Sequence, residues 1–105
     1  MKLIAIYTTV GSLAEAREIA RTLVERKLIA CAQISEIESF YPWKGAMQND
    51  REFRLLLKTT AGRYKTVESA IRALHTYELP AIHAVALEHV YGPYASWVEE
   101  CSAGE

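Results

Sequence analysis

Strand-like and helix-like hydrophobic periodicities follow one another along this chain in an order that few folds accommodate. The first β-rich run is followed by Ser12 and Glu15 at capping-box spacing, and apolar residues then recur at helical intervals. Strands are predicted at Leu3 to Thr9, Leu28 to Trp43, Arg51 to Thr60 and Ala81 to His89. Three helices are predicted. The first begins at Leu13, the second follows the third strand and ends near His75, and the third begins at Gly92-Pro93. The order is therefore β-α-β-β-α-β with a terminal helix.

This order is that of the split βαβ motif, the ferredoxin-like arrangement of α+β proteins. It predicts a four-stranded antiparallel sheet with two helices on one face and a short helix after the last strand. The 105 residues fit one domain, residues 1–105, and 50% hydrophobic with 24% charged residues is an ordinary globular balance. We therefore expect one small domain whose second sheet face has no covering layer of its own.

The strand residues of such a fold are too apolar to be left in water. They include Tyr41, Trp43, Phe53 and the run Leu55-Leu56-Leu57. The second and third strands are also long, since strands average about 5–6 residues, and a protruding hairpin exposes unpaired edges. Both features predict an oligomer that forms through the sheet face and the hairpin.

The hairpin between these strands carries three local signals. The apolar alternation changes phase near Ser35-Glu36, which predicts a bulge or bend. Pro42 has no amide hydrogen to donate, so its end of the strand is expected at a sheet edge. The polar stretch from Lys44-Gly45 to Asn49-Asp50 predicts the connection between the two strands.

Charge and apolar patterning argue against two classes of partner. The formal net charge is −1 and both signs are interspersed, so there is no basic stripe for nucleic acid. No apolar stretch approaches the roughly 20 residues of a membrane span. The first residues read as a strand rather than a signal peptide, and Cys31 and Cys101 are far apart in sequence. We expect a reduced, cytoplasmic protein.

No signature of a catalytic class and no nucleophile–base pair can be named, so we do not expect an enzyme. His83 and His89 share a face of the last predicted strand, but about 19 Å separates them, too far to share a metal. His75 ends the second predicted helix, and an interaction with the dipole of that helix explains it at least as well as a role as a metal ligand does. Lys58 follows the leucine run, where a charge either reaches the sheet edge or faces a polar pocket.

Six segments in a fixed order give the chain a resemblance to the CutA divalent-cation tolerance family. They are Tyr7-Thr8-Thr9, Leu28-Ile29-Ala30-Cys31, Ser39-Phe40-Tyr41-Pro42-Trp43-Lys44-Gly45, Glu52-Phe53-Arg54-Leu55-Leu56-Leu57-Lys58-Thr59, His75-Thr76-Tyr77-Glu78-Leu79-Pro80 and Tyr94-Ala95-Ser96-Trp97. Together they cover nearly the whole chain. The resemblance implies the same ferredoxin-like fold and a tight homotrimer, similar in architecture to PII signalling trimers, in which long hairpin strands pair between subunits.

The resemblance also implies a function, namely tolerance of divalent metals, copper above all, without enzymatic activity. A cleft between subunits would bind a metal ion or a small ligand and be lined by Trp43, Lys58, His75, Tyr77, Glu78 and Trp97. His75 is the candidate metal ligand. The Glu that usually follows the Pro of this motif is Ala81 here, and a carboxylate beside His75 would be a natural copper partner. Tight metal binding at His75 therefore needs ligands from a neighbouring subunit.

Two other functions stay open on the sequence. One is a PII-like trimer that senses an anionic small molecule or a nucleotide, with charge from Lys58 and Arg54, although no glycine-rich phosphate loop is present. The other is a purely structural interaction module, which the same scaffold would support. No cofactor is certain from the residues; copper or another divalent metal is the candidate.

Overall fold

The computed structural model describes residues 2–104 and contains the predicted order of elements. The strands are β1 (Leu3–Val10), β2 (Cys31–Trp43), β3 (Ala46–Thr60) and β4 (Ile82–Ala86). The helices are α1 (Leu13–Glu25), α2 (Tyr64–Leu74) and α3 (Gly92–Cys101), with a 3₁₀ turn at Ala61–Arg63 before α2. The sheet order is β2-β3-β1-β4 and all three neighbouring pairs are antiparallel, as predicted for the ferredoxin-like α+β fold.

The main core lies between the sheet and the first two helices. Alternate residues of β1, among them Ile4 and Ile6, and Leu55 and Leu57 of β3 point to this side. The apolar stripes of both helices cover them, with Ile19, Leu23, Val67 and Ile71 fully or almost fully buried. This confirms the prediction of two helices on one sheet face.

The third helix packs on the other side of the sheet. Val98 of α3 forms a second buried cluster with Leu3 and Ala30, and Leu3 alternates with the core residue Ile4 along β1. Part of the second sheet face is thus covered by the chain itself. The five residues packed around this cluster are all half-buried: Leu87, Val90, Tyr94, Ala95 and Cys101.

The connection between β2 and β3 is tighter than the sequence suggested. The two strands pair in one unbroken register from Cys31 opposite Lys58 to Trp43 opposite Ala46, so the bulge predicted near Ser35-Glu36 is absent. The connection is the pair Lys44-Gly45, with φ of 50° and 83°, rather than a loop reaching Asn49-Asp50. Positive φ at both central residues is what the two-residue turns of tight hairpins require. The polar residues after the turn therefore belong to β3, which begins earlier than predicted.

The strand ends differ from the prediction in two further places. Leu28 to Ala30 form a buried connection before β2 rather than its first residues, and β4 ends before His89 and begins after Ala81. Pro42 lies on β2, which is an edge strand, as predicted. No helix within residues 2–104 is long and apolar enough to cross a membrane.

The far half of the β2–β3 hairpin extends beyond the rest of the sheet. β1 pairs with β3 only from Phe53 to Thr60, so residues 37–43 of β2 and 46–52 of β3 form a two-stranded ribbon. We call this ribbon, residues 37–52, the arm. Phe40 and Met47 on one face of the arm are 63% and 77% exposed. The arm therefore carries apolar residues that the single chain does not cover.

Candidate functional site

The segment between α2 and β4, residues 75–81, crosses the carboxyl end of β1. His75 ends α2 with an extended backbone, and its Nε2 lies 2.7 Å from the carbonyl oxygen of Thr9. The amide of Tyr77 donates to Nδ1 of the same ring over 3.1 Å. Since Nδ1 accepts, Nε2 carries the hydrogen and donates to Thr9. Both ring nitrogens of His75 are thus used to hold the crossing segment on the sheet.

The residues after His75 tie this segment to three other elements. The Tyr77 hydroxyl donates to Glu52 Oε2 of β3 over 2.8 Å. The Thr76 hydroxyl donates to Glu15 Oε2 of α1 over 2.9 Å, so the Glu15 carboxylate of the predicted capping box binds here, while Ser12 caps the Glu15 amide as expected. Glu78 of this segment also forms an ion pair with the hairpin turn, where Lys44 Nζ lies 3.6 Å from Glu78 Oε2.

A cavity of about 580 Å³ lies between this segment and the arm, from Glu52 at the base of the arm to Trp43 beside its turn. Its lining residues come from β1, both hairpin strands and the crossing segment: Thr9, Tyr41, Pro42, Trp43, Asp50, Glu52, Thr76, Tyr77, Glu78, Leu79 and Ala81. Three of them are aromatic and three are carboxylates. A volume of this size suits a small organic ligand, since ligand cavities span about 300–1,000 Å³.

Two tyrosines of the cavity donate to two of its carboxylates. Tyr41 donates to Asp50 Oδ2 over 2.5 Å, and this hydrogen bond, with desolvation and the Asp50 charge, raises the pKa of Tyr41 to about 12. Burial and the hydrogen bond to Glu52 raise the pKa of Tyr77 further. Both hydroxyls therefore stay protonated at neutral pH and act as donors. Each carboxylate keeps a second oxygen that no tyrosine occupies.

Glu52 is the least exposed charged group of this site, with 5% of its surface accessible. Among residues 2–104, no lysine, arginine or histidine forms an ion pair with it. Removing a carboxylate from water without a counter-charge is costly. Within residues 2–104, Lys44 therefore offsets the charge of Glu78 in the cavity wall, whereas Glu52 has no such partner.

The structure divides the predicted cleft residues into two groups. Trp43, Tyr77 and Glu78 line the cavity, and His75 lies beside it, with its ring centroid 4.9 Å from that of Tyr77. Ala81, which stands where the family resemblance leads one to expect Glu, also lines the cavity. A glutamate there would have added a fourth carboxylate to the wall.

The other two predicted cleft residues lie against α3. Lys58 Nζ sits 5.5 Å from the ring centroid of Tyr94, which stacks on Trp97 at 5.8 Å. The Cys31 thiol lies 3.8 Å from the Tyr94 hydroxyl in the same cluster. Within one chain, Lys58 and Trp97 therefore do not line the cavity; that they reach it from a neighbouring subunit stays a prediction.

The predicted cleft does not include Tyr41, Asp50 and Glu52, which take part in the two tyrosine–carboxylate hydrogen bonds of the cavity. Asp50 was assigned to the hairpin connection, Glu52 was noted only as part of a family segment, and Tyr41 was interpreted as an apolar strand residue. Strand alternation carries the signal that would have found them. Tyr41 on β2 and Asp50 and Glu52 on β3 face the same side of the hairpin once its unbroken register is known.

No preformed metal centre is visible in the described part of the chain. Within residues 2–104, no three His, Cys, Asp or Glu side chains are grouped so as to hold a metal ion. His75 would have to give up a hydrogen bond to coordinate one. His83 instead stacks on Tyr7, with 5.3 Å between ring centroids and 9° between ring planes.

Fold and site together define a class of protein: a ferredoxin-like α+β domain with an acidic, aromatic cavity beside a long hairpin. Comparison with known proteins places the chain more narrowly. Residues 4–101 match the family model described as CutA1 divalent ion tolerance protein, and the chain belongs to this family.

Relatives from distant organisms support this assignment. The chain is 40% identical over 98 residues to the divalent-cation tolerance protein CutA of Thermotoga maritima, covering 93% of this chain and 97% of that one. It is 34% identical over 97 residues to human Protein CutA, covering 91% of this chain and 54% of the human one. The structure of an Archaeoglobus fulgidus protein, described as the periplasmic divalent cation tolerance protein CutA, superposes with a TM-score of 0.93 at 35% identity, covering 95% of this chain and 98% of that one.

Proposed function

We propose that this chain is a non-enzymatic homotrimeric protein of divalent-cation tolerance, copper above all, that binds a metal ion or small ligand in a cleft between subunits. The cavity beside the arm carries this proposal, because its carboxylates Asp50, Glu52 and Glu78 give it the charge that a cation needs. The names of the relatives support the link to divalent cations.

The homotrimer is supported by the surfaces that the single chain leaves open. The arm is a two-stranded ribbon with exposed Phe40 and Met47, and Val85 of the sheet's edge strand is 45% exposed. Isolated two-stranded ribbons are marginal in water, so the arm gains most of its stability from contacts with other subunits. Those contacts would also bring neighbouring residues, Lys58 and Trp97 among them, to the cavity.

The alternative of an anion or nucleotide sensor is weaker on this geometry. The candidate cations Lys58 and Arg54 lie over the rings of Tyr94 and Tyr7, away from the acidic cavity. An anion placed in the cavity would meet carboxylates instead. A thermal-shift screen with nucleotides tests this alternative, because any ligand of the folded protein raises its apparent stability.

Calorimetric titration with copper tests the metal part of the proposal. The wild type, Glu52→Gln and His75→Ala are compared with Glu25→Gln, which removes one exposed carboxylate at the opposite end of α1 from the site. We expect weaker binding by Glu52→Gln and wild-type binding by Glu25→Gln. Equal isotherms for wild type and His75→Ala would remove His75 from the metal site, and no binding by wild type would reject a metal ligand.

Two measurements test the remaining parts. Light scattering on the untagged protein should give three times the chain mass of 11.8 kDa, and a monomer would reject the trimer. We propose a cytoplasmic location on the basis of two free, half-buried thiols, Cys31 and Cys101. Cell fractionation decides it, and recovery in the periplasm, as the description of the Archaeoglobus relative suggests for that protein, would overturn it.

A further inference from the structure

We propose that residues 102–104 form a latch that holds α3 closed on the second sheet face, and that Arg63 is the residue that fastens this latch. The third helix is thereby a lid, which opens as a unit of its own while the rest of the domain stays folded. The inference goes beyond the proposed function, because it concerns a motion of the chain and requires no ligand. Two features carry it: α3 has little packing of its own, and its end is bound to two other parts of the chain.

The third helix is packed less firmly than the other two. Within one chain, described here for residues 2–104, α1 and α2 each bury three side chains, whereas α3 buries Val98 alone. No side chain of this part of the chain caps the first turn of α3. Its aromatic residues Tyr94 and Trp97 stack on each other, and neither is buried. Because elements with few buried apolar contacts open locally at low free energy, α3 depends on its remaining attachments.

The strongest of these attachments comes from Arg63, the last residue of the 3₁₀ turn before α2. Its Nε donates to the carbonyl oxygen of Ser102 over 2.9 Å, and its Nη2 donates to the carbonyl oxygen of Ala103. Hydrogen bonds from a charged guanidinium are stronger than neutral ones, and its rigid fork suits two acceptors. Arg63 thus binds two successive carbonyl groups at the point where α3 ends.

A second attachment joins the same segment to the end of α1. The amide of Gly104 donates to the carbonyl oxygen of Lys27 over 2.9 Å. Gly104 has a φ of 94°, and a Cβ at this position would lie 3.0 Å from Arg63 Cζ, so a glycine lets the guanidinium lie against the backbone. Ser102 between these contacts is 1% exposed. All of these contacts lie within one chain, so the latch closes without a neighbouring subunit.

The experiment measures amide hydrogen exchange in α3, with the amides of α1 and α2 as the internal reference. Arg63→Met removes both hydrogen bonds and keeps the aliphatic part of the side chain. We expect the α3 amides to exchange at least about tenfold faster in this variant, because two charge-assisted hydrogen bonds are lost. The amides of α1 and α2 should keep their wild-type rates. Arg63→Lys, which keeps the charge but not the fork, should give an intermediate rate.

A second variant opens the latch from its other side. Gly104→Ala adds a methyl group at a left-handed φ and against the guanidinium, and should accelerate α3 exchange by about fivefold or more. Combined with Arg63→Met, the two accelerations should not multiply, since both variants break the same contact. Arg21→Met, an exposed arginine of α1, and Gly45→Ala, with a φ of 83° in the hairpin turn, are the matched controls. Both controls should leave α3 exchange at the wild-type rate.

Two results would overturn the inference. Unchanged α3 exchange in Arg63→Met and Gly104→Ala would show that other contacts, within the chain or from a neighbouring subunit, hold α3 in place. Equal acceleration in all three helices would show that α3 opens only when the whole domain unfolds. Circular dichroism confirms folding, and if Arg63→Met does not fold, Arg63→Lys and Gly104→Ala decide the outcome. The protein is measured without metal or ligand, so failure here leaves the proposed function untouched.

Discussion

The two longest strands of this protein, β2 and β3, build two regions with opposite environments. In the sheet body, Leu55 and Leu57 are completely buried beneath the helices. In the arm, Phe40 and Met47 of the same two strands stand 63% and 77% exposed. The register is continuous between the regions, so backbone pairing does not differ. The difference shows that the chain supplies its own packing for the body but leaves apolar residues of the arm uncovered.

The largest effect on stability is expected in the body. Leu57→Ala creates a cavity beneath two helices and should lower the free energy of unfolding by about 2–5 kcal/mol. Urea unfolding at fixed protein concentration measures it. The matched control is Leu79→Ala, whose side chain is 71% exposed and should change stability by under about 0.5 kcal/mol. Equal losses would show that the body is not the stabilised region.

Polar substitution of the arm should alter association rather than the fold. Phe40 and Met47 are diagonal neighbours on one arm face, and Phe40→Ser with Met47→Ser removes its apolar contacts. We expect light scattering to show loss of the proposed oligomer, while the helical part of the far-ultraviolet spectrum is kept, because α1 and α2 pack within one chain. Val24→Ser, at an apolar position of α1 that is 40% exposed, is the control and should leave the oligomer intact. A double arm variant that stays fully associated would contradict the role of this face.

The hairpin turn should respond to a smaller change. Gly45 has a φ of 83°, and a methyl group meets no atom within 4 Å there, so Gly45→Ala tests backbone strain alone. The left-handed conformation costs about 1–2 kcal/mol for a residue with a Cβ. Gly62 also has open space but an ordinary φ, and Gly62→Ala should be nearly neutral. Urea unfolding compares the free energies of unfolding of the two variants. Similar losses for both would mean that residue 45 does not keep its left-handed backbone conformation in solution.

The smallest effect is confined to alkaline pH. The folded pKa of Tyr41, about 12, lies above the ordinary value of 10.0, so the unfolded chain loses this proton first. The stabilisation by Tyr41 is complete below pH 10 and falls as the pH rises through the folded pKa. Urea unfolding at intervals from pH 9 to pH 12 should show a smaller decline for Tyr41→Phe than for wild type. Parallel curves would mean that the hydrogen bond to Asp50 is not maintained.

Local patterns predicted most of the body. Ser12 caps α1, apolar residues at helical spacing in α1 and α2 face the core, and Pro42 lies on an edge strand. These features depend on neighbours in sequence, where periodicity and capping are reliable guides. The arm was predicted less well, because an exposed ribbon has polar residues on both faces. Asn49 and Asp50 therefore looked like a loop although they are strand residues.

The candidate site shows the same limit more strongly. Trp43, Tyr77 and Glu78 were predicted as site residues and do share the cavity, while Lys58 and Trp97 lie near Tyr94 in the single chain. The unbroken register of the hairpin places three further side chains in the site, Tyr41, Asp50 and Glu52. The bulge and the longer loop predicted from the sequence would have given a different register. One residue of error in register moves every side chain to the other face.

The sequence by itself determined the order of elements and the faces that form the core, because both follow from residue types at short, regular spacings. The resemblance to a family came from six segments in a fixed order along the chain. The tertiary structure decided that both ring nitrogens of His75 form hydrogen bonds, to Thr9 and Tyr77, and that the buried Glu52 accepts a hydrogen bond from Tyr77 in the cavity wall. These contacts join residues 25 to 66 positions apart or depend on how the backbone folds back at a helix end. Hydrophobic spacing carries no information about such distances, whereas packing of the crossing segment on the sheet fixes them.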